Sequence, residues 1–140
     1  MNRAPVNALG QYRSIDAYGA ASGDPLQLVL RMMDGAIDRI VSAKGHMRRQ
    51  EIPAKGEAIG RAIGLIDGLR TSLDRERGGT IAVNLESLYD YMMRRLVEAN
   101  LRNDERRLDE VATLLDEIRS AWQSVVRSPP AATAGTDARP

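Results

Sequence analysis

Apolar residues return at three- and four-residue intervals in four successive stretches of this chain, and no stretch alternates strictly. That period lines the apolar side chains of each stretch along one side of an α-helix, and the missing alternation argues against strands. The first stretch opens at Asp24-Pro25. Asp24 can cap, Pro25 suits the first helical position and Gln27 completes a capping-box-like spacing. Its stripe is Leu26, Val29, Leu30, Met33, Ile37, Ile40 and Val41, and it closes on Lys44, His46, Arg48 and Arg49, cations that suit a helix C-terminus. The second restarts at Pro53, with Ile59, Ala62, Ile63, Ile66, Leu69 and Leu73 in its stripe. Gly78-Gly79 is a breaker, and the third helix is expected over 80–101. Asn103-Asp104 supplies a turn and a cap. The fourth helix then runs to about residue 126 on Leu108, Val111, Leu114, Leu115, Ile118, Trp122 and Val125. Four amphipathic helices with short connections predict an all-α fold, an antiparallel four-helix bundle.

The flanks differ from this body. Residues 1–23 hold Tyr12, Ile15 and Tyr18 among small and polar residues. They are either an extended or partly helical arm that docks on the bundle, or a frayed terminus. Residues 24–126 form the helical domain. Residues 127–140 contain Ser128-Pro129-Pro130 and then mostly small residues, with too little apolar surface to offset ordering, so a disordered C-terminal tail is expected. At 140 residues the chain fits one domain. No secretory apolar segment opens the chain, and no apolar run reaches the roughly 18–20 residues of a membrane span, so no stable membrane insertion is expected. Twenty basic and nineteen acidic side chains leave a formal charge of +1, without the basic excess of a nucleic-acid binder. The chain has no cysteine, which excludes disulfides and thiol chemistry. It also has no phenylalanine, so core volume must come from aliphatic residues, six methionines, Trp122 and four tyrosines.

No constellation for catalysis is visible. The single histidine, His46, sits in a basic helix end and reads as a solvated cation. No nucleophile elbow or phosphate loop accompanies it. A di-metal carboxylate bundle needs Glu-x-x-His on two helices, and here Ala43 stands three residues before the one histidine. The chain is therefore expected not to be an enzyme and to need no cofactor or metal. The clusters Glu105-Arg106-Arg107 and Asp109-Glu110 read as a solvated face with local pairs.

Two features exceed what a plain bundle requires. The third helix places Ile81, Leu85, Leu88, Met92, Leu96 and Ala99 on one stripe, widened by Ala82, Tyr89, Met93 and Val97 on one side and by Tyr91 on the other. A peripheral bundle helix needs an apolar arc only somewhat wider than about 100°. Either this helix is unusually central, or part of its face awaits a partner. Leu28 and Met32 stand outside the stripe of the first helix in the same way, and methionines either fill a core that lacks phenylalanine or serve an adaptable binding surface. The second feature is Gly56, Gly60, Gly64 and Gly68, four apart inside the second helix. Each costs ~0.8–1 kcal/mol against alanine, so the four together cost ~3–4 kcal/mol. Successive members turn by only ~40° and make a track without side chains. That track serves either close packing on a neighbouring helix or a groove where a partner segment approaches the backbone.

Residues 72–96 carry the most specific pattern. Ser72-Leu73-Asp74, Gly78-Gly79-Thr80-Ile81-Ala82-Val83-Asn84-Leu85 and Leu88-Tyr89-Asp90-Tyr91-Met92-Met93-Arg94-Arg95-Leu96 closely resemble the flagellar secretion chaperone family FliS. The resemblance continues through Ala99-Asn100, Asp104, Glu110-Val111, Leu114-Leu115, Ile118-Arg119 and Ala121-Trp122. Upstream it takes in Pro25, Leu28, Leu30 and Asp34-Gly35-Ala36. Met33 stands where the family commonly has tyrosine, Asp24 where it usually has Ser or Thr, and the glycine track is not a family pattern.

The resemblance implies a cytoplasmic bacterial chaperone that binds the disordered C-terminal segment of flagellin, prevents its premature polymerisation and delivers it to the flagellar type III export apparatus. Export gate components, other flagellar regulators and co-chaperones are the further partners it implies. It also implies an autoinhibitory N-terminal arm, here carried by Tyr12, Ile15 and Tyr18, that covers the apolar site and is displaced. The client surface is expected at Leu28, Met32, Gly60, Gly64, Tyr89, Met93 and Val97. The competing reading is a helical-bundle adaptor or homo-oligomeric interaction protein that does not bind flagellin.

Overall fold

The structure is a computed structural model that describes residues 25–127. Four helices follow in order: α1 (Pro25–Arg48), α2 (Ile52–Thr71), α3 (Arg75–Arg102) and α4 (Glu105–Arg127). No strand occurs among the described residues. Each connection is only a few residues long, so consecutive helices run antiparallel. α1 packs on α2 and α4, and α3 packs on the same two helices, which closes a four-helix bundle. The expected arm of residues 1–23 and the expected tail beyond Arg127 lie outside the described residues, as does the Asp24 cap.

The helix ends follow from local chemistry. After α1, the Glu51 N–H donates to the His46 carbonyl at 2.9 Å and the Gln50 N–H to the Met47 carbonyl at 3.1 Å. This is the Schellman arrangement, and it holds Gln50 at φ 60 where glycine is usual. His46 is half-buried, and its Nδ1 lies 2.7 Å from Glu51 Oε1. The tight turn brings the Glu51 carboxylate back onto the partly exposed ring. That hydrogen bond, helped by Arg49, holds the Glu51 carboxyl below its ordinary range. Pro53 sits in the first turn of α2, where its missing N–H costs nothing. Asp74 caps α3 by accepting the Arg77 N–H at 3.1 Å. Gly79 has φ 52 and ψ −127 inside α3. The breaker thus appears as a kink between one helical turn and the long helix that follows. Asn103 closes α3 at φ 51, and Asp104 Oδ1 accepts the Arg106 N–H at 2.9 Å to open α4.

The core is drawn from all four stripes. Met33, Ile40, Ile59, Ile66, Leu69, Met92, Leu96, Leu108, Val111 and Leu115 are almost completely buried, with Trp122 beside them. Val41, expected in the α1 stripe, is 61% exposed. It follows the buried Ile40 by one residue, a turn of about 100° that carries it off the core side. On α3 the buried line runs through Ala82, Tyr89, Met92, Leu96 and Ala99, while Ile81, Leu85 and Leu88 are only half-buried. The core axis of α3 is rotated toward Tyr89 relative to the stripe read from the sequence.

Polar ties link the helices around the core. Lys55 is the one charged residue in the buried class among those described, 3% exposed. Its Nζ donates to the Asn100 carbonyl at 2.9 Å and to Asn103 Oδ1. A cation is thereby placed against the C-terminal end of α3, where the helix dipole favours it. The charged clusters of α4 are mostly interhelical ties and not the local pairs expected. Lys44 reaches Asp109 and Arg48 reaches Glu105 from α1. Tyr91 and Arg95 of α3 both donate to Glu110. Arg107 of α4 donates to Glu98. The Tyr91 hydrogen bond, then Arg95, pull the Glu110 carboxyl below its usual pKa, and Arg107 and Arg95 do the same for Glu98.

Replacing Lys55 by alanine removes two charge-assisted hydrogen bonds at a buried site. It is expected to cost about 2 kcal/mol, read from urea unfolding at neutral pH. The depressed Glu98 and Glu110 carboxyls contribute stability that is complete above the unfolded carboxylate pKa of about 4.3 and is lost as pH falls through their lower folded values. Melting temperature should therefore fall below about pH 4.5, and Glu110→Gln should flatten that decline.

Candidate functional site

α2 separates two seams, and the residues nominated from the sequence fall around it. Its glycine track behaves differently at its two ends. A Cβ at Gly68 would lie 2.5 Å from the Met32 Cε of α1, and one at Gly35 of α1 would lie 3.1 Å from Leu65 Cδ1. These two positions are where α1 and α2 come closest through glycine. A Cβ at Gly56, Gly60 or Gly64 would meet nothing within 4 Å among the described residues. Close packing accounts for Gly68 and for no other member. Because each four-residue step turns by ~40°, the track leaves the α1 seam at Gly68 and crosses the outer side of α2. Gly64 and Gly60 lie there, exposed.

Apolar side chains stand on both sides of this bare strip. On α1, Leu28 is 57% exposed and lies one turn before Met32, on the side of the helix that faces α2. Met32 itself is half-buried, its end lying over Gly68. On α3, Asp90 pairs with Arg70 of α2 at 3.6 Å, and the Asn100 carbonyl receives Lys55 of α2. Met93 and Val97 lie between Asp90 and Asn100 on the helical wheel and so border α2. Tyr91, Arg95 and Glu98 instead turn toward α4.

Tyr89 departs from its expected place. It is fully buried and is the largest of the fully buried side chains. The cause is the ~40° advance of each four-residue step. Tyr89 points into the rotated core, Met93 is half-buried at the seam and Val97 is 47% exposed. The structure thus brings Leu28, Met32, Gly60, Gly64, Met93 and Val97 around the outer side of α2, and assigns Tyr89 to the core. Tyr12, Ile15 and Tyr18 lie outside the described residues. The apolar strip on α3 goes one turn further than the sequence reading took it. Leu101 is 77% exposed, four residues after Val97, and Ile52 of α2 is 51% exposed three residues before Lys55. The spacing of Val97 and Leu101 was the available signal for this.

Among the described residues no group of three or more His, Cys, Asp or Glu side chains is placed to hold a metal ion. No described helix is long and apolar enough to cross a membrane.

Residues 7–129 match the family described as Flagellar protein FliS. The chain is 46% identical over 121 residues to the Flagellar secretion chaperone FliSB of Pseudomonas aeruginosa, covering 86% of this chain and 96% of that relative. It is 48% identical over 105 residues to the Flagellar secretion chaperone FliS of Salmonella typhimurium, covering 74% of this chain and 78% of that one. At 28% identity, the Flagellar secretion chaperone FliS of Bacillus subtilis aligns over 84% of this chain and 86% of its own length.

The open glycines give a stability prediction that is independent of any partner. Gly60→Ala and Gly64→Ala place a methyl in open space within a helix, and each should stabilise the free protein by ~0.4–1 kcal/mol. Gly68→Ala must displace the Met32 methyl and should stabilise less or not at all. Thermal melts of the three variants check the order.

Proposed function

The chain belongs to the FliS family of flagellar secretion chaperones, and we propose that it binds the C-terminal segment of flagellin in the bacterial cytosol, keeps it from polymerising and hands it to the flagellar export apparatus. The observation that carries this reading is the outer side of α2. Glycines that cost folding stability and pack against no other described residue lie there between the exposed Leu28 and the exposed Val97. A client segment that orders on binding gains most from a surface where its own side chains reach the chaperone backbone and apolar seams run alongside.

In this proposal Leu28 and Met32 line one seam, Met93 and Val97 line the other, and Gly60 and Gly64 form the floor between them. Tyr89 acts from beneath, as the core residue that sets the position of Met93 and Val97. The arm of residues 1–23, through Tyr12, Ile15 and Tyr18, competes with the client for this surface. Competition of that kind lowers apparent affinity by the fraction of open chaperone and protects an empty apolar site.

Calorimetric titration with a flagellin C-terminal peptide should show binding at micromolar protein, with negative heat-capacity change. Val97→Glu and Gly64→Leu, each in a folded variant, should weaken it by about tenfold, equivalent to about 1.4 kcal/mol. Deleting residues 1–18 should tighten it. A protein that binds no peptide and instead forms a stable dimer through Leu28 and Val97 would mean that the bundle is a homo-oligomeric adaptor.

A further inference from the structure

The seam between α1 and α2 changes character along its length. It is apolar at Leu28 and Met32. Seven residues beyond Met32, ~10 Å along the helix at 1.5 Å per residue, it enters an open groove of about 280 Å³ lined by Arg39, Ser42, His46, Glu57, Ala58 and Arg61. The small side chains of Ser42 and Ala58 leave room between the helices, and Arg39 and Arg61 stand exposed on its two sides. Arg39 makes no hydrogen bond or ion pair among the described residues. Arg61 has one partner, Glu57, across a solvent-exposed contact of 3.2 Å within the same helix, and such pairs hold their charges weakly. The His46 imidazole is already engaged by Glu51. The groove therefore presents two guanidinium groups, one without a partner and one loosely held, against the single carboxylate of Glu57.

We propose that this groove receives aspartate or glutamate carboxylates of the bound client segment. The client then runs along the α1–α2 seam, with apolar side chains over Leu28 and Met32 and acidic side chains between Arg39 and Arg61. This rests on the client-binding reading above and adds the direction and the charge of the segment that fits. The guanidinium fork matches a carboxylate in two-point geometry. Glu57 in the lining opposes a compact dianion such as phosphate more strongly than a carboxylate. The groove is open and continuous with an apolar seam, which suits a polypeptide passing through it more than an isolated ion.

The test uses the full chain and two forms of the flagellin C-terminal segment, one native and one with every Asp and Glu changed to Asn and Gln. At low salt the native form should bind about tenfold more tightly, an advantage that shrinks as salt screens the exposed charges. In the double variant Arg39→Ala/Arg61→Ala, the advantage should fall to about twofold or less while affinity for the amide form stays unchanged. Both arginines are exposed, and a thermal melt verifies that the variant is folded. The inference is overturned if the double variant keeps the native segment's full advantage, or if the unmodified chaperone binds both segments equally. If neither segment binds the unmodified protein, the chaperone reading falls and the inference falls with it.

Discussion

Everything in this bundle depends on how α2 is held. Its buried line of Ala58, Ile59, Ala62, Ile66 and Leu69 is enclosed between α1 and α3. α1 comes in over Gly68 and Gly35, where no Cβ keeps the helices apart. α3 is drawn in by Lys55, whose buried ammonium is satisfied by acceptors at the far end of that helix. A helix gripped on its inner side in this way leaves its outer side away from the core. That outer side is where the remaining glycines lie.

The distribution of stability follows. Apolar burial and the ties from α1 and α3 to α4 hold the frame. The glycine track subtracts from it by the ordinary helix-propensity penalty. A sequence under selection for stability alone would carry alanine at Gly60 and Gly64, since the space for a methyl is open. Retaining glycine there fits a surface selected for access to the backbone, the usual direction of the trade between stability and function. The kink at Gly79 and the left-handed turns at Gln50 and Asn103 fall at helix junctions.

In the proposed complex, binding combines two kinds of force. The seams of α2 offer apolar area for a segment that becomes ordered on docking, and the Arg39–Arg61 groove offers charge. The first supplies most of the affinity and little direction, because apolar contact is non-directional. The second discriminates orientation and partner, because like charges placed there are rejected.

Much of this was legible from the chain. The four helices, their order, the turn at Asn103-Asp104, the resemblance to a chaperone family and most of the core stripe follow from period, punctuation and local motif, all of which act over a few residues. The sequence also marked the glycine spacing and the surplus apolar width of α3. What it could not decide was which flank of that width is buried. Tyr89, Met93 and Val97 sit on one apolar flank, each turned ~40° from the last, and which of them is buried depends on the rotation of α3 about its own axis, set by its contacts with α2 and α4. In the same way only the packed structure distinguishes Gly68, which meets Met32, from Gly60 and Gly64, which meet nothing among the described residues. The burial of Lys55 depends on acceptors more than forty residues away. Local sequence determines each helix, and the contacts between helices decide which way each one faces.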